Sequence, residues 1–369
     1  MAQASARINP LVCHHGALGD TIMLTAMLDA LAARWGAPCD LITGRAPAAL
    51  FAGIDSVREV HGLGSRSVPY WASRRQRGLV SWLRQRGDSP VWIVERRHPV
   101  APGSARTRIE WLLERAGLGR DYWVTTDSTP RGELEHMVPY VLRLAALDPP
   151  AFAGPGVKGS GSSWPPRLAV APEELDDCRR WLAGRGWRGE PLILLQTMSR
   201  RRKRGRWPDP KWQQLVSRLR EERPEAWIAL IGAPAERRQT ARLAARLAAE
   251  DVHDVAAELP LRRLFALLVL AESLVALDSG PAHAAAALGC PVVVLQGTAD
   301  PRRNRPLGRP GSVAVVSAFG DRWPDSPHEW FTTHDMGAIP VESVLQAWQG
   351  LALRSNSGAQ PLLAPRWSD

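Results

Sequence analysis

Short apolar runs alternate along the chain with longer stretches in which apolar residues recur at helical spacing. The first run, Leu11 to His15, predicts a strand. A glycine turn follows it, then a helix carrying Ile22, Leu24, Met27, Leu28 and Leu31 on its apolar face. Further strands are expected at Cys39 to Thr43 and Val91 to Glu95, with arginine-rich helical stretches between them, and a helix from about His136 to Leu147 closes this half. Strands alternating with helices build a parallel sheet covered on both faces.

Between Asp148 and Arg167 the pattern stops. The run DPPAFAGPGVKGSGSSWPPR is too rich in Pro, Gly and Ser to hold a regular element, and it sets a domain boundary. The alternation then resumes more regularly. It predicts helix Pro172 to Gly184, strand Leu192 to Gln196, a basic loop, helix Pro210 to Glu222, strand Trp227 to Ile231, helix Ala235 to Ala249 and a helix around Leu261 to Glu272. A strand at Leu274 to Leu277, a helix at Pro281 to Leu288 and a strand at Pro291 to Gln296 follow. The expected organisation is α/β with two Rossmann-like domains, residues 1–150 and 169–340. A linker over 151–168 joins them, and a helix over 341–354 precedes a poorly ordered tail over 355–369.

Composition changes this picture in two respects. The 369 residues with 45% hydrophobic content suffice for two buried cores, and the greasiest stretch, Leu264 to Leu277, is too short and too interrupted by Glu272 and Ser273 to span a membrane. The N-terminus lacks a secretory pattern, and Cys13, Cys39, Cys178 and Cys290 form no CxxC pair, so neither a disulfide framework nor a zinc site is expected and a cytoplasmic setting is. The net charge of +10 is almost wholly arginine, whose planar fork suits phosphate and carboxylate. No nucleic-acid motif accompanies those arginines, so the expected partners are a phosphate-bearing small molecule and an anionic acceptor at a membrane surface.

The strongest chemical signal is DSGPAH, Asp278 to His283. An apolar strand ends at Asp278, Ser279 and Gly280 leave the backbone uncovered, and Pro281 stands where a helix begins, so free N–H groups at a positive helix end make an anion cradle. His283 in the first turn is placed to donate to a phosphate or a sugar hydroxyl. A plain side-chain cap by Asp278 or Ser279 is the competing reading. The second signal is HHGALGD, where Gly16 and Gly19 allow close backbone approach and Asp20 sits at a helix start as a candidate general base, or simply as a capping aspartate. Of His14 and His15, one should point inward as a core residue. The third is TMSRRRKRGRW, in which Thr197, Ser199, Lys203, Arg204 and Arg206 suit a diphosphate, although charge runs are commonly solvated faces. Glu236 after the next strand is a candidate for ribose hydroxyls, with a helix-start acid as the alternative. Neither half carries a P-loop or a DxD pair, so no metal site is expected, and helix ends and arginines must meet leaving-group charge.

Taken together, these motifs resemble glycosyltransferase family nine, the ADP-heptose heptosyltransferases of bacterial lipopolysaccharide core assembly. GALGD is similar to the family's opening loop, EHMVPYVLRLAAL to the helix before its linker, TMS with WPDPKW to its diphosphate loop, and DSGPAHAAAALGCPVVVLQGTADP to its donor signature. The resemblance implies a GT-B fold with parallel sheets facing a central cleft, acceptor in the N-terminal domain, donor in the C-terminal domain, and inversion at the anomeric carbon. It implies Asp20 as base, Asp278, Ser279, Gly280 and His283 on the donor, Thr197 and Ser199 at phosphate, and Glu236 at ribose. Gly205 stands where the family usually has lysine, with Lys203, Arg204 and Arg206 around it, and Gln296 stands where an aromatic is common.

The expected activity is therefore metal-independent transfer of heptose from ADP-heptose to a hydroxyl of a lipopolysaccharide core or related glycan. No cofactor is expected, and the enzyme is expected as a monomer in peripheral contact with the inner membrane. The alternatives are another nucleotide-sugar donor, a protein or small-molecule acceptor, or a non-catalytic nucleotide-sugar or glycan binder on the same fold.

Overall fold

Among the described residues every strand pairs in parallel with its neighbours. The computed structural model describes residues 8–44, 48–64, 70–94, 107–152, 164–198, 206–247, 251–297, 299–320, 323–326 and 335–352. The chain divides into two compact units, Met1–Pro166 and Arg167–Asp369. The candidate residues Ser199, Lys203 and Arg204, most of the expected linker and the tail lie outside the described residues.

The first unit holds β1 (Leu11–His14), β2 (Cys39–Thr43), β3 (Val57–Gly62), β4 (Val91–Ile93) and β5 (Trp123–Thr125) in the order β3-β2-β1-β4-β5. β1 is apolar up to His14 and β4 is apolar throughout because helices cover both faces. Helix α1 (Leu18–Trp35) follows β1 and stops at Gly36, whose φ of 62° is left-handed and ends the helix without a Cβ penalty. Helices α2 (Arg74–Arg86) and α3 (Arg108–Ala116) pack together, and α4 (Met137–Ala145) lies on α1. Arg34, in the last turn of α1, clamps this contact by donating to the carbonyls of Ala145 (2.7 Å) and Leu147 (3.2 Å) and to the Asp148 carboxylate (2.7 Å).

A buried charge sits in β2. Asp40 has no exposed surface, and Arg58 from the edge strand β3 grips it with Nε at 2.8 Å and Nη2 at 2.6 Å. Arg86, at the end of α2, pairs with the same carboxylate and also donates to the Asn9 carbonyl and the Ser89 hydroxyl. Burial pulls the Arg86 guanidinium down to about 10, which leaves it cationic at neutral pH.

The second unit holds β6 (Leu192–Gln196), β7 (Trp227–Ile231), β8 (Val252–Asp254), β9 (Ser273–Leu277), β10 (Val292–Gln296) and β11 (Val313–Ser317), ordered β11-β10-β9-β6-β7-β8. The greasy stretch from Leu264 is two elements, the end of α8 (Leu261–Leu270) and β9, separated at Ala271 and Glu272. The C-terminal helix α11 (Val341–Gln349) belongs to this unit's core, where Val341, Val344, Leu345 and Trp348 are buried. Trp348 donates to the Ser273 hydroxyl at 2.8 Å, and Trp207 and Lys211 donate to the carbonyl of Ile339 at 3.1 and 2.7 Å.

One backbone position carries a measurable cost. Ala257, just after β8, has φ of 70°, in the left-handed region where a Cβ crowds the following carbonyl, while its N–H donates to the Gly232 carbonyl at 3.0 Å. Ala257→Gly is expected to raise the unfolding free energy by about 0.5–1 kcal/mol, read from urea melts of the two proteins at equal slope.

Candidate active site

In each sheet the winding reverses beside the first strand, β1 between β2 and β4, and β6 between β7 and β9. Ligands of doubly wound sheets bind at such switch points, outside the carboxyl ends of the strands. DSGPAH leaves β9 at the second of them. Helix α9 (Gly280–Ala287) begins there with Ser279 as its N-cap residue and Pro281 in its first turn, and the Ser279 side chain does not cap it. The Ser279 hydroxyl is directed across the switch point instead and donates to Gln196 Oε1 at 2.9 Å. Gln196 ends β6 and is itself held by a hydrogen bond from its Nε2 to the Met198 carbonyl. Of the two sequence readings, the side-chain cap by Ser279 is therefore not the arrangement formed.

Thr197 follows Gln196 and is fully buried, with no hydrogen-bond partner for its hydroxyl. Asp278 and Gly280 are half-buried at the mouth of the same edge, and His283 is buried in the first turn of α9. Gln296, at the end of β10, is also buried; its Nε2 donates to the Ala299 carbonyl at 2.8 Å while Oε1 has no partner. The carboxyl ends of β6, β9 and β10 thus gather polar side chains beneath the start of α9, where backbone N–H groups and the helix dipole favour an anion.

Two other candidates are already engaged. Arg206 pairs with Asp209 at 2.5 Å, and Asp209 also takes Arg246 at 2.8 Å, at the start of α6 (Asp209–Glu222). Glu236 follows β7, one strand away from the switch point, and its Oε2 accepts the Ala233 N–H at 2.8 Å, the helix-start role that its position allows.

In the first unit Asp20 is the third residue of α1, whose N-cap is Ala17. Its Oδ2 accepts the Ala17 N–H at 3.0 Å, one half of a capping arrangement whose other half an alanine cannot supply. Gly16 and Gly19 shape the loop. A Cβ on Gly16 would collide with the His14 ring and lie 2.6 Å from Asp20 Cβ, so only glycine lets these two side chains flank the backbone. His14 ends β1 and is buried. Its Nδ1 donates to the carbonyl of Val94, just beyond β4, at 2.6 Å, which bridges this switch point as Ser279 bridges the other. Neither Gln196 nor His14 stood out in the sequence as a site residue. The available signal was a polar residue closing an apolar central strand.

Beside the carboxyl end of β3 lies a pocket of about 370 Å³ lined by His61, Gly62, Arg75, Leu79 and Trp82 among others. His61 and the Trp82 indole both bond Glu59 Oε2, at 3.0 and 3.1 Å, and the His61 bond holds the Glu59 carboxyl below its ordinary range. Among the described residues no group of three or more His, Cys, Asp or Glu side chains is placed to hold a metal ion, and no helix is long and apolar enough to cross a membrane.

Residues 159–321 match the family model of glycosyltransferase family 9 (heptosyltransferase). No curated protein sequence matches the chain. Among solved structures, an ADP-heptose LPS heptosyltransferase II of E. coli aligns over 93% of this chain and 98% of its own, at 18% identity and TM-score 0.68. A glycosyl transferase family 9 protein of Veillonella parvula aligns over 95% and 98%, at 15% identity and TM-score 0.72. An E. coli heptosyltransferase solved with ADP aligns over 93% and 99%, at 18% identity and TM-score 0.59. At these identities the structural likeness establishes the fold, two parallel-sheet α/β domains of the GT-B type. The family match falls largely on the unit that carries DSGPAH, so this part of the chain is similar to glycosyltransferase family 9 (heptosyltransferase), while the chain as a whole shares the GT-B fold of the solved heptosyltransferases.

Proposed function

We propose that the protein is an inverting, metal-independent heptosyltransferase that moves heptose from ADP-heptose to a hydroxyl of a lipopolysaccharide core or related glycan, at the cytoplasmic face of the inner membrane. The observation that carries this reading is the start of α9. The Ser279 hydroxyl turns to Gln196 instead of capping the helix, and a helix start is where backbone N–H groups and the dipole favour an anion. The structural relatives named for ADP-heptose and ADP support the choice of diphosphate donor.

In the proposed reaction Asp20 takes the proton of the acceptor hydroxyl as that oxygen attacks the anomeric carbon. The bond to the departing phosphate oxygen breaks with its electron pair, and ADP leaves with its added charge held at the α9 end. Thr197, Ser199, Lys203, Arg204, Asp278, Ser279, Gly280 and His283 serve the donor; Gly16 and Gly19 give the acceptor access to Asp20. The pocket with Arg75 suits an anionic sugar of the acceptor, since guanidinium pairs well with carboxylate and phosphate. Glu236 retains one carboxylate oxygen for ribose.

Thermal melts with ADP-heptose, UDP-sugars and GDP-sugars test the donor. ADP-heptose at a hundredfold excess over its Kd is expected to stabilise the protein by about 2.7 kcal/mol, with the others without effect. Stabilisation by UDP- or GDP-sugars alone would remove the ADP assignment. Transfer to heptose-deficient lipopolysaccharide is expected to persist in excess EDTA, and a strict need for a divalent ion would overturn the metal-free mechanism.

A further inference from the structure

His14 is buried, yet it is not an ordinary core residue. Its Nδ1 is committed to the Val94 carbonyl at 2.6 Å, which requires the proton on that nitrogen because a carbonyl only accepts. Nε2 is then a lone-pair acceptor, and it is buried with no partner. A buried nitrogen left unpaired is costly, a cost that an apolar ring of similar shape avoids. Burial also holds the imidazole below its ordinary pKa, against the opposing pull of the Val94 bond and of the Asp20 carboxylate, the acidic group whose charge reaches the ring.

The ring touches the site through one residue. Gly16 lies so close to the imidazole that a Cβ there would collide with it, and the same Cβ would meet Asp20 at 2.6 Å. The imidazole, the Gly16 backbone and Asp20 are therefore packed in series, with the imidazole anchored to the end of β4. We propose that His14 is a positioning residue for transfer: its latch across the switch point sets the Gly16 backbone, and through it the placement of the Asp20 carboxylate. The inference rests on the reading of Asp20 as the base.

The latch needs a donor where Nδ1 lies and nothing more, so a side-chain amide nitrogen should replace it. Initial rates with ADP-heptose and heptose-deficient lipopolysaccharide test this in His14→Phe, His14→Asn and Asp20→Ala, each normalised to folded protein by circular dichroism. His14→Phe is expected to lower kcat by at least about tenfold, since small misplacements of a reacting group are costly. KM for ADP-heptose should stay within about twofold, as expected when only an interaction felt in the transition state is lost. His14→Asn is expected to recover most of the lost kcat. Full activity in His14→Phe, equal loss in His14→Asn, or a change confined to KM would overturn the proposal while Asp20→Ala remains inactive. If Asp20→Ala itself turns over, the base assignment falls and the proposal falls with it.

Discussion

Asp20→Ala is expected to lower kcat by about 10²–10⁴-fold, the usual contribution of a general base, while ADP-heptose binds as before. The separation follows from where the groups lie: Asp20 is in the first unit, and the candidate donor residues from Thr197 to His283 are in the second. Asp20→Asn sharpens the experiment. An amide oxygen can still accept the Ala17 N–H that Oδ2 now takes at 3.0 Å, so the start of α1 is preserved and only basicity is lost. If Asp20 were merely a capping residue, the asparagine variant would turn over normally and the alanine variant would lose only about 1 kcal/mol of stability. Steady-state rates and isothermal titration with ADP-heptose distinguish the two cases, and joint loss of binding and turnover would sink the assignment.

The largest expected change in stability comes from Asp40→Ala, a loss of about 3–5 kcal/mol in the unfolding of the first unit, because one partner of a buried ion pair is removed and the other stays. The partner that decides the magnitude is Arg86, whose side chain is 6% exposed, rather than Arg58, which is 43% exposed and can turn into water. Arg58→Ala is accordingly expected to cost about 1 kcal/mol or less, as exposed pairs do. Guanidinium denaturation followed by tryptophan fluorescence compares the two. Equal losses would mean that Arg86 is sustained by the Asn9 carbonyl and Ser89 hydroxyl without Asp40.

The strands legible in the sequence and those that were not differ in a physical way. Leu192 to Gln196, Trp227 to Ile231 and Val292 to Gln296 are buried along their whole length and read as apolar runs. The four strands that the pattern did not mark are β3, β5, β8 and β11, the two edges of each sheet, although β11 is itself the apolar run VAVVS. β3 is VREVHG, with Arg58 and Glu59 exposed, and β5 and β8 are three residues each. An edge strand has one open flank and little apolar area to declare itself, and natural sheets keep such strands short and charged. Helix starts were legible to within a residue at α5 (Pro172–Ala183), α6 and α9 because proline marks them.

By itself the sequence determined the alternation of strand and helix, and it marked GALGD and DSGPAH as junctions between a strand and a helix. These are local properties of composition and spacing. Only the tertiary structure decided which side chains meet across a switch point, because Ser279 and Gln196 are 83 residues apart and His14 and Val94 are 80 apart. The pairing of Asp40 with Arg86 and of Asp209 with Arg246 was decided there as well. In each case the partner is chosen by strand order and register, which place distant residues side by side and which no local pattern encodes.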